Sequence, residues 1–193
     1  MENYSIGSWI RQSPEHELLA KPVETPMILD IGPADKPLEK ADLLVDLTFD
    51  NDYAREGRPL LTDGKPLIIA DVQHLPFRDK AFSFTNCSHV LEHTDQPSLA
   101  LSEVKRVSRS YYVECPNWIA ENIIFGWPFH KWVVNKRNGE LVFEAKRERR
   151  IFGAKVLPMG YLFHRLAKGK TNSLGHSIFN KLFRVSLKEG EEK

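Results

Sequence analysis

Residues 81–107 read AFSFTNCSHVLEHTDQPSLALSEVKRV, and this stretch decides the fold class. Its first seven residues form a largely apolar run that is typical of a buried strand. After Asp95-Gln96-Pro97 the pattern changes to the spacing of one helix face, which carries Ala100, Leu101, Val104 and Val107. A strand followed closely by a helix is the repeating unit of an α/β protein.

Similar apolar runs lie on both sides of this stretch. They cover residues 27–31 (MILDI), 42–47 (DLLVDL), 66–70 (PLIIA) and 111–115 (YYVEC). Continuous rather than alternating apolar residues are typical of parallel strands. The segment between the first two runs, GPADKPLEKA, barely has room for a helical turn. We therefore predict a Rossmann-like α/β fold, a parallel sheet flanked by helices whose first crossover helix is short or absent. A further helix is predicted to begin at Ser13-Pro14.

The length of 193 residues and the hydrophobic fraction of 41% suit a single domain over residues 1–193. No apolar stretch approaches the ~20 residues of a membrane-spanning helix, and the first residues lack the pattern of a secretory signal. Cys87 and Cys115 cannot form a disulfide framework, and no cysteine–histidine cluster has zinc spacing. We therefore expect a cytoplasmic protein without a metal site.

The two parts of the chain differ in charge and in aromatic content. Residues 1–120 hold 12 Lys/Arg against 19 Asp/Glu, whereas residues 121–193 hold 15 against 7. Residues 118–132 are rich in aromatic side chains and are predicted to form a core element or a lid: Trp118, Phe125, Trp127, Phe129 and Trp132. A basic C-terminal extension follows. Asn138-Gly139 predicts a hairpin between strands at 131–134 and 140–144, with a loop longer than two residues.

Acidic residues stand at the ends of three of the first four predicted strands, at Asp30, Asp46 and Asp71. In an open parallel sheet, ligands bind outside the carboxyl ends of the strands. A carboxylate there can accept hydrogen bonds from ribose hydroxyls or from an adenine amino group, although aspartate is also a common turn or cap residue. Neither of the glycine-rich phosphate-binding motifs follows the first strand. The pattern favours an adenosine-containing ligand without phosphates over NAD or ATP.

Two motifs within residues 27–117 point to a known family. They are D-x-x-x-L-P-F-x-D-x-x-F at residues 71–82 and H-V-L-E-H at residues 89–93. With ILDIGPADKP and DLLVDLT before them, they resemble the class I S-adenosylmethionine-dependent methyltransferases, most closely the type-11 group that includes quinone-biosynthesis enzymes. The resemblance implies a cofactor-binding core at residues 27–117, whereas residues 118–193, the lid and basic C-terminal part, match only weakly.

The resemblance also implies a role for each matched position, with S-adenosylmethionine as the cofactor. Asp30 would organise the first loop, and Gly32 would let the backbone approach the methionine part of the cofactor. Asp46 would accept from the ribose hydroxyls. Asp71 would face the adenine amino group, beside a backbone N–H of Val72. The two residues that would line the cofactor floor are Ser88 and His89.

Other residues have weaker chemical signals. Glu92 and His93 could form an acid–base pair, but we interpret them as structural. Cys87 is interpreted as a small buried residue rather than a nucleophile. His130 is our candidate general base, because an exposed imidazole with a pKa near ~6.5 is mostly neutral at pH 7. The alternative is a structural histidine that closes the hairpin by bonding a backbone carbonyl.

The expected function is methyl transfer from S-adenosylmethionine to a small-molecule or lipid/glycan-linked acceptor. A non-catalytic S-adenosylmethionine-binding or partner subunit is the alternative, since the first loop has few glycines. An NAD-dependent oxidoreductase is disfavoured by the missing dinucleotide motif. Residues 131–184 hold 13 Lys/Arg against 3 Asp/Glu and predict an anionic acceptor or a peripheral contact with an anionic membrane. Their lack of regular aromatic interleaving disfavours nucleic acid as a partner.

Overall fold

The computed structural model describes residues 26–50, 55, 59–124, 129–146, 150–151, 154–155 and 183–190. The strands in chain order are β1 (Ile28–Ile31), β2 (Leu43–Asp46), β3 (Leu67–Ile69), β4 (Phe82–Ser88), β5 (Ser108–Pro116), β6 (Trp132–Arg137), β7 (Glu140–Ala145), β8 (Arg150–Ile151), β9 (Ala154–Lys155) and β10 (Arg184–Glu189). One sheet has six strands in the order β10-β5-β4-β1-β2-β3. Its first five strands in sequence are mutually parallel, and β10 pairs antiparallel with β5. This confirms the Rossmann-like α/β fold and the four runs that flank residues 81–107.

Helix α1 (Pro97–Val107) begins where the proline-containing sequence predicts, with Pro97 in its first turn. The apolar face predicted from the sequence is buried against the sheet: Ala100, Leu101, Val104 and Val107. The helix ends at Ser108, whose backbone is extended and whose hydroxyl donates to the carbonyl of Val104 at 2.6 Å. That hydroxyl also meets Thr85 Oγ1 at 2.6 Å. Because β5 begins at Ser108, α1 passes directly into that strand.

The connections from β1 to β2 and from β3 to β4 are turns. Residues 32–42 between β1 and β2 contain no helix, which confirms the prediction for the first crossover. Among the described residues α1 is the one α-helix. The helix predicted at Ser13-Pro14 lies outside the described residues. Leu29, Val45 and Val113 are fully buried and mark the centre of the core.

Strands β6 and β7 form the predicted hairpin, but its loop is shorter than expected. The strands pair from Trp132 opposite Ala145 to Arg137 opposite Glu140, so that only Asn138 and Gly139 connect them. Both residues have positive φ, 52° and 84°, as a two-residue type I′ turn requires. The prediction of a longer loop was wrong because β6 continues through Asn135-Lys136-Arg137, three polar residues that carry no apolar strand signal.

The described part of the C-terminal region adds three strands. β8 and β9 pair with each other, and β10 closes the edge of the main sheet beside β5. Phe125 and Trp127 of the predicted lid, and most of the basic extension, lie outside the described residues. No helix within the described ranges is long and apolar enough to cross a membrane.

Candidate functional site

The strand order places a crevice between β1 and β4. The chain proceeds outward from β1 to β2 and β3, then returns to the other side of β1 with β4 and β5. Ligands of open α/β sheets bind at such a switch point, outside the carboxyl ends of the strands. The register aligns these ends, since Ile31 lies beside both Val45 and Cys87, and Asp46 lies beside Ile69. We call the carboxyl ends of β1, β2 and β3, with Asp30, Asp46 and Asp71, the acidic edge.

Asp30 is buried at the end of β1, and each of its carboxylate oxygens accepts an internal hydrogen bond. Its Oδ2 accepts from the backbone N–H of Leu38 at 2.7 Å, and its Oδ1 accepts from Asn86 Nδ2 at 2.7 Å. Burial raises the pKa of Asp30, and the two hydrogen bonds oppose that rise. The carboxylate therefore ties the far end of the first loop to both central strands. Asn86 is a partner that the sequence analysis did not identify.

Gly32 is required at its position by two local features. Its φ of +68° lies in the left-handed region, and a Cβ there would come within 2.4 Å of Val90 Cγ2. Its N–H donates to the carbonyl of Val45 at 2.8 Å. The space above Gly32 is thus taken by a protein side chain. Its predicted role beside the cofactor stays a prediction.

Asp46 ends β2 as a nearly buried carboxylate with two described donors. The backbone N–H of Leu47 donates to its Oδ1 at 2.8 Å, and the buried Arg55 guanidinium does so at 3.2 Å. Arg55 also donates to the carbonyl of Thr48 at 3.1 Å. A ribose bound here would share this carboxylate with Arg55. Arg55 is a residue that the sequence analysis missed, because it lies in a connection with no motif.

Asp71 follows β3 and caps a turn. Its Oδ1 accepts from the backbone N–H of Gln73 at 2.8 Å, and both of its oxygens contact Gln73 Nε2. This is the turn role that the sequence analysis kept as the alternative for these aspartates. Val72, next in the chain, is buried in the core. The predicted contacts of Asp71 and Val72 with adenine stay predictions.

Exposed apolar side chains surround the acidic edge. Leu47 is 61% exposed, Phe49 is 66% exposed and Ile69 is 44% exposed. Leu47 and Phe49 follow Asp46, and Ile69 is the β3 partner of Asp46 in the register. Large apolar side chains concentrated at a strand-end crevice are typical of a ligand site. They offer flat contact area beside hydrogen-bond acceptors.

Ser88 and His89 stand at the end of β4, on the other side of the switch point. The Ser88 hydroxyl donates to Glu114 Oε1 at 3.2 Å. His89 has a φ of +58°, a left-handed conformation that few non-glycine residues adopt. Its ring lies between two carboxylates, with Nδ1 3.2 Å from Glu92 Oε1 and Nε2 3.6 Å from Glu114 Oε1. Strained backbone of this kind is often found at functional sites.

Glu92 and His93 form the single-turn 3₁₀ helix Leu91–His93 that follows β4. Burial alone would raise the pKa of Glu92, but the hydrogen bond and charge of His89, then the charges of His130 and His93, lower it to about 2. Burial lowers the pKa of His93, against the opposing effect of Glu92. Glu92 is therefore a buried carboxylate surrounded by imidazoles. We call His89, Glu92, His93 and His130, with Glu121, the histidine cluster.

His130 is buried, which contradicts the exposed position expected from the sequence. Its Nδ1 meets a carboxylate oxygen of Glu121, and the second oxygen of Glu121 accepts from Lys146 Nζ at 2.8 Å. The ring packs edge-on against His93, with centroids 4.6 Å apart. This described partner is a carboxylate, whereas the structural alternative expected a backbone carbonyl, and that alternative stays a prediction. Glu121 lies 9 residues before His130 in an irregular helical segment, and no sequence signal connected them.

Both cysteines are buried and free. Burial raises the pKa of Cys87 and of Cys115, and the negative charge of Glu92 adds to the rise. Thiols of this kind stay protonated and are poor nucleophiles. The interpretation of Cys87 as a small buried residue is therefore confirmed.

The middle of the chain matches a known family. Residues 44–111, about a third of the chain, match the family model described as a methyltransferase domain of type 11. The match covers Asp46, Asp71, Val72, Ser88 and His89, whereas Asp30 and Gly32 precede it. No curated protein sequence matches the chain.

Solved structures with a similar arrangement include three bacterial proteins. An S-adenosylmethionine-dependent methyltransferase of Thermotoga maritima is 18% identical, with a TM-score of 0.38, and the match covers 53% of this chain and 49% of that one. The YcgJ protein of Bacillus subtilis is 21% identical over 52% and 50%, with a TM-score of 0.37. A methyltransferase of Mesorhizobium loti is 15% identical over 69% and 64%, with a TM-score of 0.39. The chain thus spans about half the length of the first two structures.

Proposed function

We propose that this chain, whose residues 44–111 carry a class I, type-11 methyltransferase domain, transfers a methyl group from S-adenosylmethionine to a small-molecule or lipid/glycan-linked acceptor. S-adenosylmethionine is the cofactor that this family implies. The observation that carries the proposal is the acidic edge, where carboxylates and exposed apolar side chains stand together at the sheet's switch point within or beside the matched residues.

The residues of the acidic edge suit an adenosine-containing cofactor. An adenine ring needs apolar faces, which Leu47, Phe49 and Ile69 can supply. Ribose hydroxyls need acceptors, which Asp46 supplies, and the cofactor has no phosphate that would require a glycine-rich loop. These features support the assignment of Asp46 to the ribose and of Asp71 with Val72 to the adenine.

Bound S-adenosylmethionine supplies a methyl group on a positively charged sulfur, already activated for displacement by a nucleophile. The chain's own residues then need only align the acceptor and exclude water. Asp30 holds the first loop through Leu38, which fixes the backbone at Gly32. Ser88 and His89 border the crevice on the β4 side. Glu92 and Glu114 fix the ring of His89 from both sides.

A general base is needed only for an acceptor that must lose a proton. His130 stays our predicted base, with Glu121 orienting its ring through Nδ1. His130→Gln retains a polar side chain and removes the basicity. If His130 is the base, turnover should fall by roughly 10²–10⁴ while cofactor affinity stays unchanged. Normal turnover, or an early loss of the folded state on heating, would return the residue to a structural role.

Calorimetry with S-adenosylhomocysteine tests the cofactor assignment. We expect Asp46→Ala and Asp71→Ala each to weaken binding by roughly tenfold to a hundredfold, since a hydrogen bond to a charged group contributes about 1.5–3 kcal/mol. The matched control is Asp79→Asn, an exposed carboxylate at the opposite end of β4 that pairs with Arg106. Wild-type protein that binds nothing, or variants that bind as the control does, would refute the proposal.

The alternative is a subunit that binds S-adenosylmethionine without turning it over. It is supported by the helix-free first crossover and by the internal partners of Asp46 and Asp71. The two functions differ in one measurement, the release of S-adenosylhomocysteine when the pure protein is given cofactor and a panel of acceptors. Binding without release, together with a catalytic protein that co-purifies, would favour the subunit.

The acceptor side of the proposal involves the basic residues 131–184. We propose that they attract an anionic acceptor or an anionic membrane surface. Several described cations there already have partners, such as Lys131 with Asp95 and Arg137 with Glu144, so the attraction depends mainly on other Lys/Arg of the segment. Co-sedimentation with anionic vesicles should fall between about 50 and about 300 mM salt, because screening shortens with ionic strength. Binding that is indifferent to salt, or equal to neutral vesicles, would contradict it.

A further inference from the structure

Three side chains with metal-binding atoms meet beside the end of β4. Glu92, His93 and His130 each offer one ligand atom, and these atoms all lie within 4.8 Å of one another. The first two come from the 3₁₀ turn, and the third comes from the segment that leads into β6. The backbone N–H of Lys131 donates to the carbonyl of Glu92 at 2.8 Å and so holds the two segments together.

Two of these side chains present a buried atom that completes no geometric hydrogen bond among the described residues; the Cys115 thiol, a weak donor, lies beside the Glu92 carboxylate. The atoms are Glu92 Oε2 and His93 Nδ1, and Glu92 is 0% exposed. An unsatisfied buried polar atom destabilises the folded state, and folded proteins rarely retain one. His89 already occupies Glu92 Oε1, at 3.2 Å. A carboxylate oxygen and an imidazole nitrogen both donate electron pairs, so a cation would satisfy both.

The third side chain is held as metal-binding histidines are held. Glu121 meets Nδ1 of His130, and Lys146 in turn fixes Glu121. A histidine that binds a metal through one ring nitrogen almost always contacts a carboxylate, a carbonyl or water through the other. This arrangement assigns Nε2 of His130 to the ligand set. Glu121 is then a positioning residue that orients the ring.

We propose that Glu92 Oε2, His93 Nδ1 and His130 Nε2 bind a divalent metal ion of the Zn²⁺ type. Two imidazoles and one carboxylate are a ligand set that zinc uses in sites with one open position. Bonds of 2.0–2.2 Å would bring tetrahedral ligand atoms to about 3.4 Å from one another. The side chains must therefore close by roughly 1 Å from their present spread. The proposal depends on these three side chains and not on the proposed methyl transfer. With the ion bound, both ring nitrogens of His130 are occupied, so His130 is then a ligand instead of the general base.

Zinc binding by the full chain, without an affinity tag, tests the site. The chain is stripped with EDTA and titrated with Zn²⁺ alone in competition with a chromophoric chelator. We expect one equivalent to bind to the wild type, and Glu92→Gln and His93→Asn each to lose at least a hundredfold in affinity. Glu121→Gln should lose about 10–100-fold, as expected for a residue that orients a ligand. His74→Asn, which changes an exposed histidine outside the cluster, is the matched control and should bind as the wild type does.

Substitution with Co²⁺ gives a second readout that does not depend on turnover. A site with two imidazoles and a carboxylate should give the intense visible absorption of a four-coordinate Co²⁺, and His93→Asn should abolish it. Should Glu92→Gln fail to fold, His93→Asn and the cobalt spectrum still decide. The proposal is overturned if the wild type binds less than one equivalent of zinc, or if the ligand variants bind as tightly as His74→Asn.

Discussion

The acidic edge lies at the carboxyl ends of β1 to β3, and the histidine cluster includes the turn that follows β4. The two differ in how their polar atoms are satisfied. At the acidic edge, Asp46 is held by Arg55, and Asp71 is held by Gln73. In the histidine cluster, Glu92 and His93 each retain a buried atom without a described partner. A ligand at the acidic edge must therefore compete with contacts inside the protein. A ligand in the histidine cluster would instead satisfy atoms that the fold leaves open.

The largest change in stability that we expect concerns the loop after β1, which begins at Gly32. In Gly32→Ala, the left-handed backbone should cost about 1–2 kcal/mol, and displacement of the stiff Val90 side chain should cost about 1–3 kcal/mol more. The matched control is Gly139→Ala, which has a positive φ but nothing within 4 Å of the added Cβ. Urea unfolding should thus show a clearly larger loss of stability at Gly32 than at Gly139.

A second variant identifies the source of that difference. Val90→Ala removes the atom that the added Cβ would meet, so Gly32→Ala should cost less in this background than alone. Equal losses at Gly32 and Gly139 would mean that the close approach of Val90 does not constrain the loop.

A smaller effect is expected in the histidine cluster. Glu121 is fully buried and accepts from both His130 and Lys146. Glu121→Gln should lower the free energy of unfolding by about 2 kcal/mol, because the carboxylate that makes both bonds is replaced by an amide. Combined with Lys146→Met, the loss should fall short of the sum of the single losses by about 1–2 kcal/mol.

The control for this pair is Glu144→Gln, which removes the exposed partner of Arg137. Exposed ion pairs contribute little, so its loss should stay below about 0.5 kcal/mol. Strictly additive losses at Glu121 and Lys146 would show that the two side chains do not stabilise each other, and that Lys146 does not fix the orientation of Glu121.

Much of the fold follows from the sequence because local patterns determine it. Apolar runs predict β1 to β5, and the apolar face from Ala100 to Val107 predicts α1. The hairpin loop was mispredicted because polar residues extend β6. The acidic edge was located because its residues end strands, and parallel strands end at one edge of the sheet.

The partners of those residues could not be predicted in the same way. Arg55 reaches Asp46 across 9 residues, and Asn86 reaches Asp30 across 56. The histidine cluster is harder to predict from the sequence. Glu92 and His93 are adjacent and His130 lies far along the chain, so the three residues do not have the spacing of a zinc motif. Their convergence depends on the contact of Lys131 with Glu92, which only the tertiary structure shows.

The smallest effect concerns the loop that carries Asp71. Glu103 on α1 accepts from the backbone N–H of Leu75 at 2.9 Å and pairs with Arg106 through both of its oxygens. Arg106 also donates to the carbonyls of Leu75 and Phe77. The hydrogen bond from Arg106 lowers the pKa of Glu103 and outweighs the opposing effect of burial, with a further contribution from Leu75. Glu103 and Arg106 therefore hold the loop that follows Asp71 on α1.

The pH dependence of stability tests whether Glu103 and Arg106 hold this loop. Because the folded pKa of Glu103 is lowered, its contribution is present above the ordinary glutamate pKa of ~4.3 and is lost as the pH falls through the folded value. Wild type should exceed Glu103→Gln in free energy of unfolding by about 1 kcal/mol at neutral pH, since Arg106 is partly exposed. The gap should narrow as the pH falls below the ordinary glutamate pKa of ~4.3. Glu140→Gln, on the exposed hairpin, should differ from wild type by less than about 0.5 kcal/mol throughout. A gap that widens in acid would have the wrong sign, and the loop would then have to be held by its own turn at Asp71 rather than by α1.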